Sequence, residues 1–131
     1  MIIAQVGCGY WGPNLLRTFN NLEDCVVKYV VERDQSRKEF VRKNYPEILV
    51  CSDISQVLED SSVNAVVIAT PAGTHFDLAK LFVEAGKHIL GEKPLSNKVE
   101  ELDALQKIAS RQMLTVMSGH TFIDNNHERY V

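Results

Sequence analysis

A glycine-rich hexapeptide near the beginning of the chain constrains the fold more than any other stretch of the sequence. Its six residues are Gly7-Cys8-Gly9-Tyr10-Trp11-Gly12. An apolar run at residues 2–6 precedes it, and Pro13 follows it. The apolar run is typical of a buried strand, and Pro13 favours the first turn of a helix, where its missing N–H is not needed. In this order, Gly7 permits a tight reversal and Gly12 lets the helix lie close to the strand.

The remainder of the chain repeats an alternation of apolar strands and amphipathic helices. We expect strands at 25–31, 48–51, 63–69, 87–90 and 114–117, and helices at about 13–19, 36–45, 53–59, 76–85 and 97–112. Capping boxes at Asp53-x-x-Gln56 and Asn97-x-x-Glu100 are predicted to begin the third and fifth helices, and Gly86 to follow the fourth. This alternation predicts an α/β fold: one domain with a doubly wound, six-stranded parallel sheet.

Composition and charge exclude several classes of protein. At 131 residues the chain has room for one ordinary domain, and its formal net charge of -3 gives no support for nucleic-acid binding. No apolar run approaches the roughly 20 residues that span a bilayer, so no membrane partner is expected. Cys8, Cys25 and Cys51 form no C-x-x-C pair, which favours buried or half-buried thiols in a reducing cytoplasm. No His, Cys and Asp grouping has metal-ligand spacing, so no metal site is predicted.

The segments rich in glycine and proline follow the ends of predicted strands. Besides the hexapeptide, they include residues 70–75 and 92–94. Ligands of doubly wound sheets bind beyond the carboxyl ends of the strands, where the strand order reverses. We therefore favour a dinucleotide site over an ordinary strand-to-helix turn. Gly9 would admit a pyrophosphate close to the backbone, and the N-terminus of the first helix would face the phosphates.

The charged pair at the end of the second strand indicates which dinucleotide is bound. Glu32 lies 20 residues after Gly12, where a carboxylate accepts hydrogen bonds from the adenosine ribose and repels a 2′-phosphate. Arg33 complicates this interpretation, because an arginine beside this site either stacks on adenine or pairs with the 2′-phosphate of NADP. On balance the sequence favours NAD over NADP. The alternative for Glu32 is a solvated charge at a strand end.

Four segments carry a resemblance to a known family, in the same order along the chain. They are residues 7–14, 69–75, 86–96 and 119–122, and the third contains Glu92-Lys93-Pro94. Together they resemble the Gfo/Idh/MocA family of NAD(P)-dependent oxidoreductases, which act mostly on sugars, inositols and related polyols. The resemblance is nearest to members that act on nucleotide-linked amino sugars. It implies hydride transfer between nicotinamide and a sugar-like or polyol alcohol.

The resemblance also implies roles for individual residues. Lys93 would be the catalytic residue, approaching the substrate hydroxyl and assisting proton transfer. The residues implied in cofactor binding are Gly7, Gly9, Tyr10, Trp11, Gly12, Glu32, Arg33, Thr70, Pro71, His75, Glu92, Lys93 and Pro94. Of these, Thr70, Pro71 and His75 would line the nicotinamide ribose, and the Lys93–Pro94 bond would be cis. Alternatively, Lys93 is a plain exposed lysine, and His75 satisfies local backbone at a helix N-terminus.

Members of that family continue well beyond this length into an α/β substrate domain. We therefore expect residues 1–120 to form the dinucleotide-binding domain, and residues 121–131 to be a tail or the start of the connection to a missing substrate domain. Two hypotheses remain: the cofactor domain of an oxidoreductase, or a nucleotide-binding module without turnover of its own. An S-adenosylmethionine methyltransferase is disfavoured, because it has no use for Glu92-Lys93-Pro94. Alone, the chain is expected to bind cofactor without turnover, and to self-associate into a homo-oligomer through the exposed cleft if the apolar area there is substantial.

Overall fold

Strands and α-helices alternate along residues 1–119, the part of the chain that the computed structural model describes. The strands are β1 (Ile2–Val6), β2 (Val26–Val31), β3 (Leu49–Cys51), β4 (Ala65–Ile68), β5 (His88–Glu92) and β6 (Val116–Gly119). The helices are α1 (Gly12–Asn20), α2 (Gln35–Asn44), α3 (Ser55–Glu59), α4 (His75–Glu84) and α5 (Val99–Arg111), with a short 3-10 turn at Ala72–Thr74. Every predicted strand and helix is confirmed, with ends that agree to within two residues.

The six strands form one sheet in the order β3-β2-β1-β4-β5-β6, and all of its strand pairs are parallel. From β1 the chain moves outward to β3, returns across the sheet to β4, and then moves outward to β6. The strand order therefore reverses between β1 and β4, which lie side by side at the centre. This arrangement confirms the predicted doubly wound Rossmann fold, and it places the expected ligand crevice after those two strands.

The sheet separates two apolar layers, and each layer is covered by its own helices. On one face, Leu16 of α1 and Val41 of α2 are fully buried against Val27 and Val30 of β2. On the other face, α3, α4 and α5 contribute the buried side chains Val57, Ala79, Phe82, Val83, Leu105 and Ala109. Each large apolar side chain removed from water stabilises the fold by about 1.5–3 kcal/mol. Burial on both faces therefore holds the sheet between the two helix layers.

Gly86 ends α4 as the sequence predicts. It adopts a φ of 77°, a conformation that glycine reaches without a steric penalty. Its N–H donates to the Val83 carbonyl at 2.9 Å, and the Lys87 N–H donates to the Phe82 carbonyl at 3.0 Å. These two bonds satisfy carbonyl groups in the last turn of α4, so the chain can turn directly into β5.

The two predicted capping boxes are wrong. The residue that caps α3 is Ile54, and the residue that caps α5 is Lys98, in both cases without a side-chain hydrogen bond to the helix. Each helix begins two residues later than predicted, which leaves Asp53 and Asn97 outside the capping position. The Asp53 carboxylate instead accepts from the Ser55 N–H at 2.9 Å. Local turns of this kind compete with the capping geometry for the same side chains.

A polar cluster joins the elements at the amino end of the sheet. The Asp60 carboxylate accepts from Lys28 Nζ at 2.5 Å, from the Tyr29 hydroxyl at 2.9 Å and from the Ser62 hydroxyl at 2.6 Å. These hydrogen bonds, the one from Lys28 first, hold the pKa of Asp60 well below its usual range. The buried Lys87 ammonium donates to the Asp60 carbonyl at 2.8 Å. The cluster lies opposite the edge at which the candidate ligand residues meet.

Other sequence expectations have simpler outcomes. Cys8 is buried, and Cys25 and Cys51 are half-buried, as predicted, and all three are free thiols. Within residues 1–119, no helix is long and apolar enough to cross a membrane, and no group of three or more His, Cys, Asp or Glu side chains could hold a metal ion. The expected tail at residues 121–131 lies outside the described residues.

Candidate cofactor-binding site

The glycine turn begins with a residue that touches the neighbouring strand. Gly7 has a φ of 91°, and its N–H donates to the carbonyl of Val31, the last residue of β2, at 2.8 Å. A Cβ atom added to Gly7 would lie 2.5 Å from the Ala69 carbonyl oxygen and 3.0 Å from the Thr70 methyl group. Glycine is therefore required here for two reasons, conformation and space. The turns that follow β1 and β4 meet at this point.

Gly12 begins α1 close beneath the same turn. A Cβ at Gly12 would lie 3.0 Å from the Gly7 carbonyl oxygen and 3.2 Å from Gln5 Nε2. The buried Gln5 amide donates to the carbonyls of Gly7 and Gly12, both at 2.9 Å. Gln5 was predicted only as part of an apolar strand, and this role was not expected from the sequence. The signal was a single amide side chain within an otherwise apolar run.

Gly9 faces a cation that the sequence analysis did not single out. A Cβ at Gly9 would lie 3.2 Å from Nη1 of Arg37, which extends from the first turns of α2. The Arg37 side chain is exposed, and apart from its guanidinium nothing lies within 4 Å of that Cβ position except the neighbouring residues of the turn. Arg37 thus places a positive charge beside the backbone of Gly9, with no side chain of the turn between them, and this suits an anion.

The N-terminus of α1 completes this environment. Its capping residue, Trp11, makes no side-chain hydrogen bond to the helix, Pro13 occupies the first turn, and no acidic residue lies there. Unpaired N–H groups and the dipole at a helix N-terminus attract anions. Tyr10 and Trp11 are 96% and 49% exposed, so neither aromatic ring is held by core packing. The turn can therefore accept a phosphate from its open side.

Glu32 is half-buried and fixes backbone amides at the end of β2. Its Oε1 accepts from the N–H groups of Arg33 at 2.8 Å and Asp34 at 3.0 Å, and its Oε2 accepts from the Cys8 N–H at 2.7 Å. Glu32 is therefore joined to the glycine turn and is not a solvated strand-end charge. Oε2 keeps capacity for a second donor, because each carboxylate oxygen has two lone pairs. Arg33 lies exposed beside it.

The Cys8 thiol is unreactive although Cys8 lies in the glycine turn. The side chain is 1% exposed and packs in the same apolar layer as Leu16. Burial, and then the nearby Glu32 carboxylate, raise the pKa of Cys8 to about 11. The thiol stays protonated at neutral pH and acts as a small apolar side chain.

The turn after β4 is closed by hydroxyl groups and by His75. The Thr74 hydroxyl donates to the Pro71 carbonyl at 2.7 Å and lies 2.7 Å from the Thr70 hydroxyl. His75 is 1% exposed, with Nε2 2.6 Å from the Thr70 carbonyl oxygen and Nδ1 2.8 Å from the Pro94 carbonyl oxygen. The ring thus lies between two backbone segments, at the start of α4, and does not face open space.

The turn after β5 carries the lysine that the sequence analysis singled out. Lys93 is exposed, and it forms no hydrogen bond or ion pair with the other residues of the described chain. The Lys93–Pro94 bond is cis, as expected. Leu95 returns into the core over Gly91, where an added Cβ would lie 2.6 Å from Leu95 Cδ1. The turn is anchored by Leu95 and by His75, and it leaves Lys93 free to meet a ligand.

The structure brings most of the named residues to one edge of the sheet. Contacts join Gly7 to the turn after β4, Cys8 to Glu32, and His75 to both Thr70 and Pro94. All of these turns lie at the carboxyl ends of β1, β2, β4 and β5. The edge combines an anion-accepting turn, a carboxylate with a free lone pair and an exposed amine.

Known proteins are similar to this chain in both sequence and fold. The sequence model described as "Oxidoreductase family, NAD-binding Rossmann fold" (GFO_IDH_MocA) matches residues 1–120. A 4-carboxy-2-hydroxymuconate-6-semialdehyde dehydrogenase of Sphingobium is 28% identical over all of this chain and 42% of its own length. The scyllo-inositol 2-dehydrogenase (NADP(+)) IolW of Bacillus subtilis is 30% identical over 76% of this chain and 28% of its own length.

The fold is also similar to that of a solved structure. GenD2 from gentamicin A biosynthesis, in complex with NAD, superposes with a TM-score of 0.88 at 27% identity, over 94% of this chain and 35% of that protein. The chain thus spans less than half the length of each of these relatives. Since the family's sequence model covers nearly the whole chain, the protein belongs to the Gfo/Idh/MocA family of oxidoreductases and forms its NAD(P)-binding Rossmann domain.

Proposed function

We propose that this domain binds NAD in preference to NADP, and that it supplies the cofactor side of hydride transfer to or from a sugar-like or polyol alcohol. The observation that carries the proposal is the meeting of the glycine turn, Glu32 and the Lys93 turn at one sheet edge, beside the reversal of strand order. The inositol dehydrogenase among the relatives supports the polyol class.

The phosphates would lie over Gly9. The absence of a side chain there, the N-terminus of α1 and the Arg37 guanidinium all favour a diphosphate in that position. Arg37 was not among the residues expected from the sequence, and we assign it to the phosphates rather than to structure, because its exposed head contacts the turn.

The preference for NAD follows from Glu32. Its Oε2 is already fixed by the Cys8 N–H and would accept a hydrogen bond from an adenosine ribose hydroxyl, whereas a 2′-phosphate would be repelled. Arg33 and Arg37 oppose this preference, because both could pair with a 2′-phosphate. One relative is named for NADP(+) and another was solved with NAD, so Glu32 is the residue to test.

The proton would be handled by Lys93. The nicotinamide accepts or donates the hydride when it is bound, and Lys93 Nζ would exchange the hydroxyl proton of the alcohol. Thr70 and Pro71 would lie beside the nicotinamide ribose, and Glu92 and Pro94 would shape the corner around the amine. His75 would act through the two carbonyls that it contacts, because its ring is buried.

A second candidate function is a nucleotide-binding module without turnover of its own. It is favoured by the exposure of Lys93, since hydride transfer requires the alcohol to be held roughly 3–3.5 Å from the nicotinamide. The two candidates share the cofactor site, and an assay of NADH formation with a panel of polyols and nucleotide sugars distinguishes them.

The experiment is calorimetric titration of the chain with NADH and NADPH. Gly9→Val places a side chain where we assign the diphosphate and should weaken NADH binding at least tenfold, about 1.4 kcal/mol. Gly86→Ala, at the far end of α4, is the control and should bind as the wild type does. Equal NADH affinity of the wild type and Gly9→Val would overturn the assignment.

Glu32→Ser tests the preference. Loss of the carboxylate also releases the three amides it binds, so the affinity for both cofactors is expected to fall, and the ratio is the informative quantity. The ratio of NADPH to NADH affinity should rise. An unchanged ratio would mean that Glu32 serves the turn alone.

A further inference from the structure

Gln5 is an amide side chain buried where the sheet requires an apolar one. It lies in β1, between β2 and β4, on the face covered by α1, and it is 1% exposed. Its neighbours on the strand, Ala4 and Val6, belong to the apolar core. Burial of an amide destabilises a fold unless hydrogen bonds compensate for the lost water. The placement of Gln5 therefore calls for a reason other than packing.

The nitrogen of Gln5 bridges the two ends of the glycine turn. Nε2 donates one hydrogen to the Gly7 carbonyl and the other to the Gly12 carbonyl, both at 2.9 Å. Gly7 is the first residue after β1, and Gly12 is the first residue of α1. One rigid planar group thus fixes the separation between the entry and the exit of the turn.

The Gly7–Cys8 peptide is held from both sides. In a trans peptide the C=O and N–H point in opposite directions, so the carbonyl that Gln5 binds directs the Cys8 N–H the other way. That N–H donates to Glu32 Oε2 at 2.7 Å. A chain of hydrogen bonds therefore runs from the Gln5 amide through one peptide to the carboxylate at the end of β2.

The side-chain oxygen of Gln5 makes no corresponding hydrogen bond within residues 1–119. Oε1 is buried and has no hydrogen-bond partner among residues 1–119. Buried acceptors of this kind are rare in native proteins, because each leaves a desolvated group unpaired. An apolar side chain would avoid that penalty but would remove the hydrogen bonds to the Gly7 and Gly12 carbonyls. The value of Gln5 thus lies in its two donors.

We propose that Gln5 is a positioning residue for the cofactor: it sets the glycine turn, and through the Cys8 N–H the Glu32 carboxylate, before the dinucleotide binds. This inference rests on the proposed function, since it assigns that turn and that carboxylate to NAD. A preorganised turn binds more tightly because less ordering remains to be done on binding. Gln5 does not touch the ligand in this account.

The first test uses the wild-type chain, followed by NMR of its side-chain amides without cofactor. The Gln5 Nε2 hydrogens should exchange with solvent at least about tenfold more slowly than those of the exposed Gln56, which is the internal control. Equal exchange rates would overturn the proposal, whatever the protein binds.

The second test compares Gln5→Met, which keeps length and removes both donors, with Ile3→Val on the same face of β1. In Gln5→Met, backbone exchange at Cys8 should accelerate more than at Val66 in the core, and NADH should bind about tenfold more weakly to the folded protein. Ile3→Val should leave both quantities near wild type. Uniform acceleration, or unchanged NADH affinity, would reduce Gln5 to a structural role and refute the proposal. A wild-type chain that binds neither NADH nor NADPH would refute the proposed function, while the exchange rates still decide whether Gln5 holds the turn.

Discussion

Substitution of Gly7 by alanine should destabilise the domain far more than the same substitution at Gly86. Both glycines have positive φ, 91° and 77°, where an L-residue loses about 1–2 kcal/mol. Alanine also restricts the conformations of the unfolded chain, which stabilises the folded protein by about 0.4–1 kcal/mol and offsets part of this loss. At Gly86 nothing lies closer than 4.0 Å to the added Cβ, so we expect a net loss of about 1 kcal/mol there.

At Gly7 the same Cβ meets backbone. It would lie 2.5 Å from the Ala69 carbonyl oxygen and 2.8 Å from the Ala69 carbonyl carbon, and neither can rotate away. Overpacking of this kind adds about 1–3 kcal/mol, so Gly7→Ala should lose about 3 kcal/mol in total. The turns after β1 and β4 would have to separate at the point where the strand order reverses.

Urea denaturation of the two variants, followed by circular dichroism without cofactor, measures both losses against the wild type. The difference between them isolates the collision, because the cost of positive φ is common to both. Equal losses for Gly7→Ala and Gly86→Ala would refute the close contact between the two turns.

Three further predictions concern other residues of the site and its support. His75→Ala should lose about 2–4 kcal/mol in urea denaturation, because it leaves a cavity and removes the imidazole that lies between two backbone carbonyls. A loss below about 1 kcal/mol would contradict the role of the ring. The folded pKa of Asp60 lies below its unfolded value, so the stability that Asp60 contributes is present above about pH 4 and is lost as the pH falls through the folded pKa. Asp60→Asn should therefore lose less stability in acid than the wild type does. Identical profiles of stability against pH would contradict this role of Asp60. Lys93→Met should leave the free energy of unfolding within about 0.5 kcal/mol and NADH affinity unchanged, since the side chain is exposed; in any form of the protein that turns over an alcohol it should lower turnover about 10²-fold, and intact turnover would remove Lys93 from the mechanism.

Local patterns in the sequence predicted the framework well. The continuous apolar run of β4 indicated a strand covered on both faces, and residues such as Gly86 indicated where a helix ends. The glycine turn could be interpreted because its position between a strand and a helix is a property of neighbouring residues. Both signals need only a short window of sequence, and the parallel sheet then followed from the right-handed connections of alternating strands and helices. The order of the strands in the sheet is known only from the structure.

The contacts that support the site could not be predicted in the same way. Gln5 is one polar residue in an apolar strand, and only the folded turn shows that two carbonyls lie within its reach. Arg37 is nearly thirty residues from Gly9 along the chain, and β2 and α2 must form before the two meet. His75 has a motif position that suggested a ligand contact, whereas burial turned its ring toward backbone carbonyls. Each depends on tertiary geometry that spacing does not encode.

The central claim is that the carboxyl edge of the sheet, around the glycine turn, binds the dinucleotide. The most direct test is a titration of the isotope-labelled chain with NADH, followed by the backbone amide signals in NMR spectra. The signals of Gly9, Thr70 and Glu92 should shift most, while those of Asp60 and Asn64, at the opposite edge, should stay in place. Largest shifts at Asp60 and Asn64, or no shift at Gly9 at saturating NADH, would contradict the account.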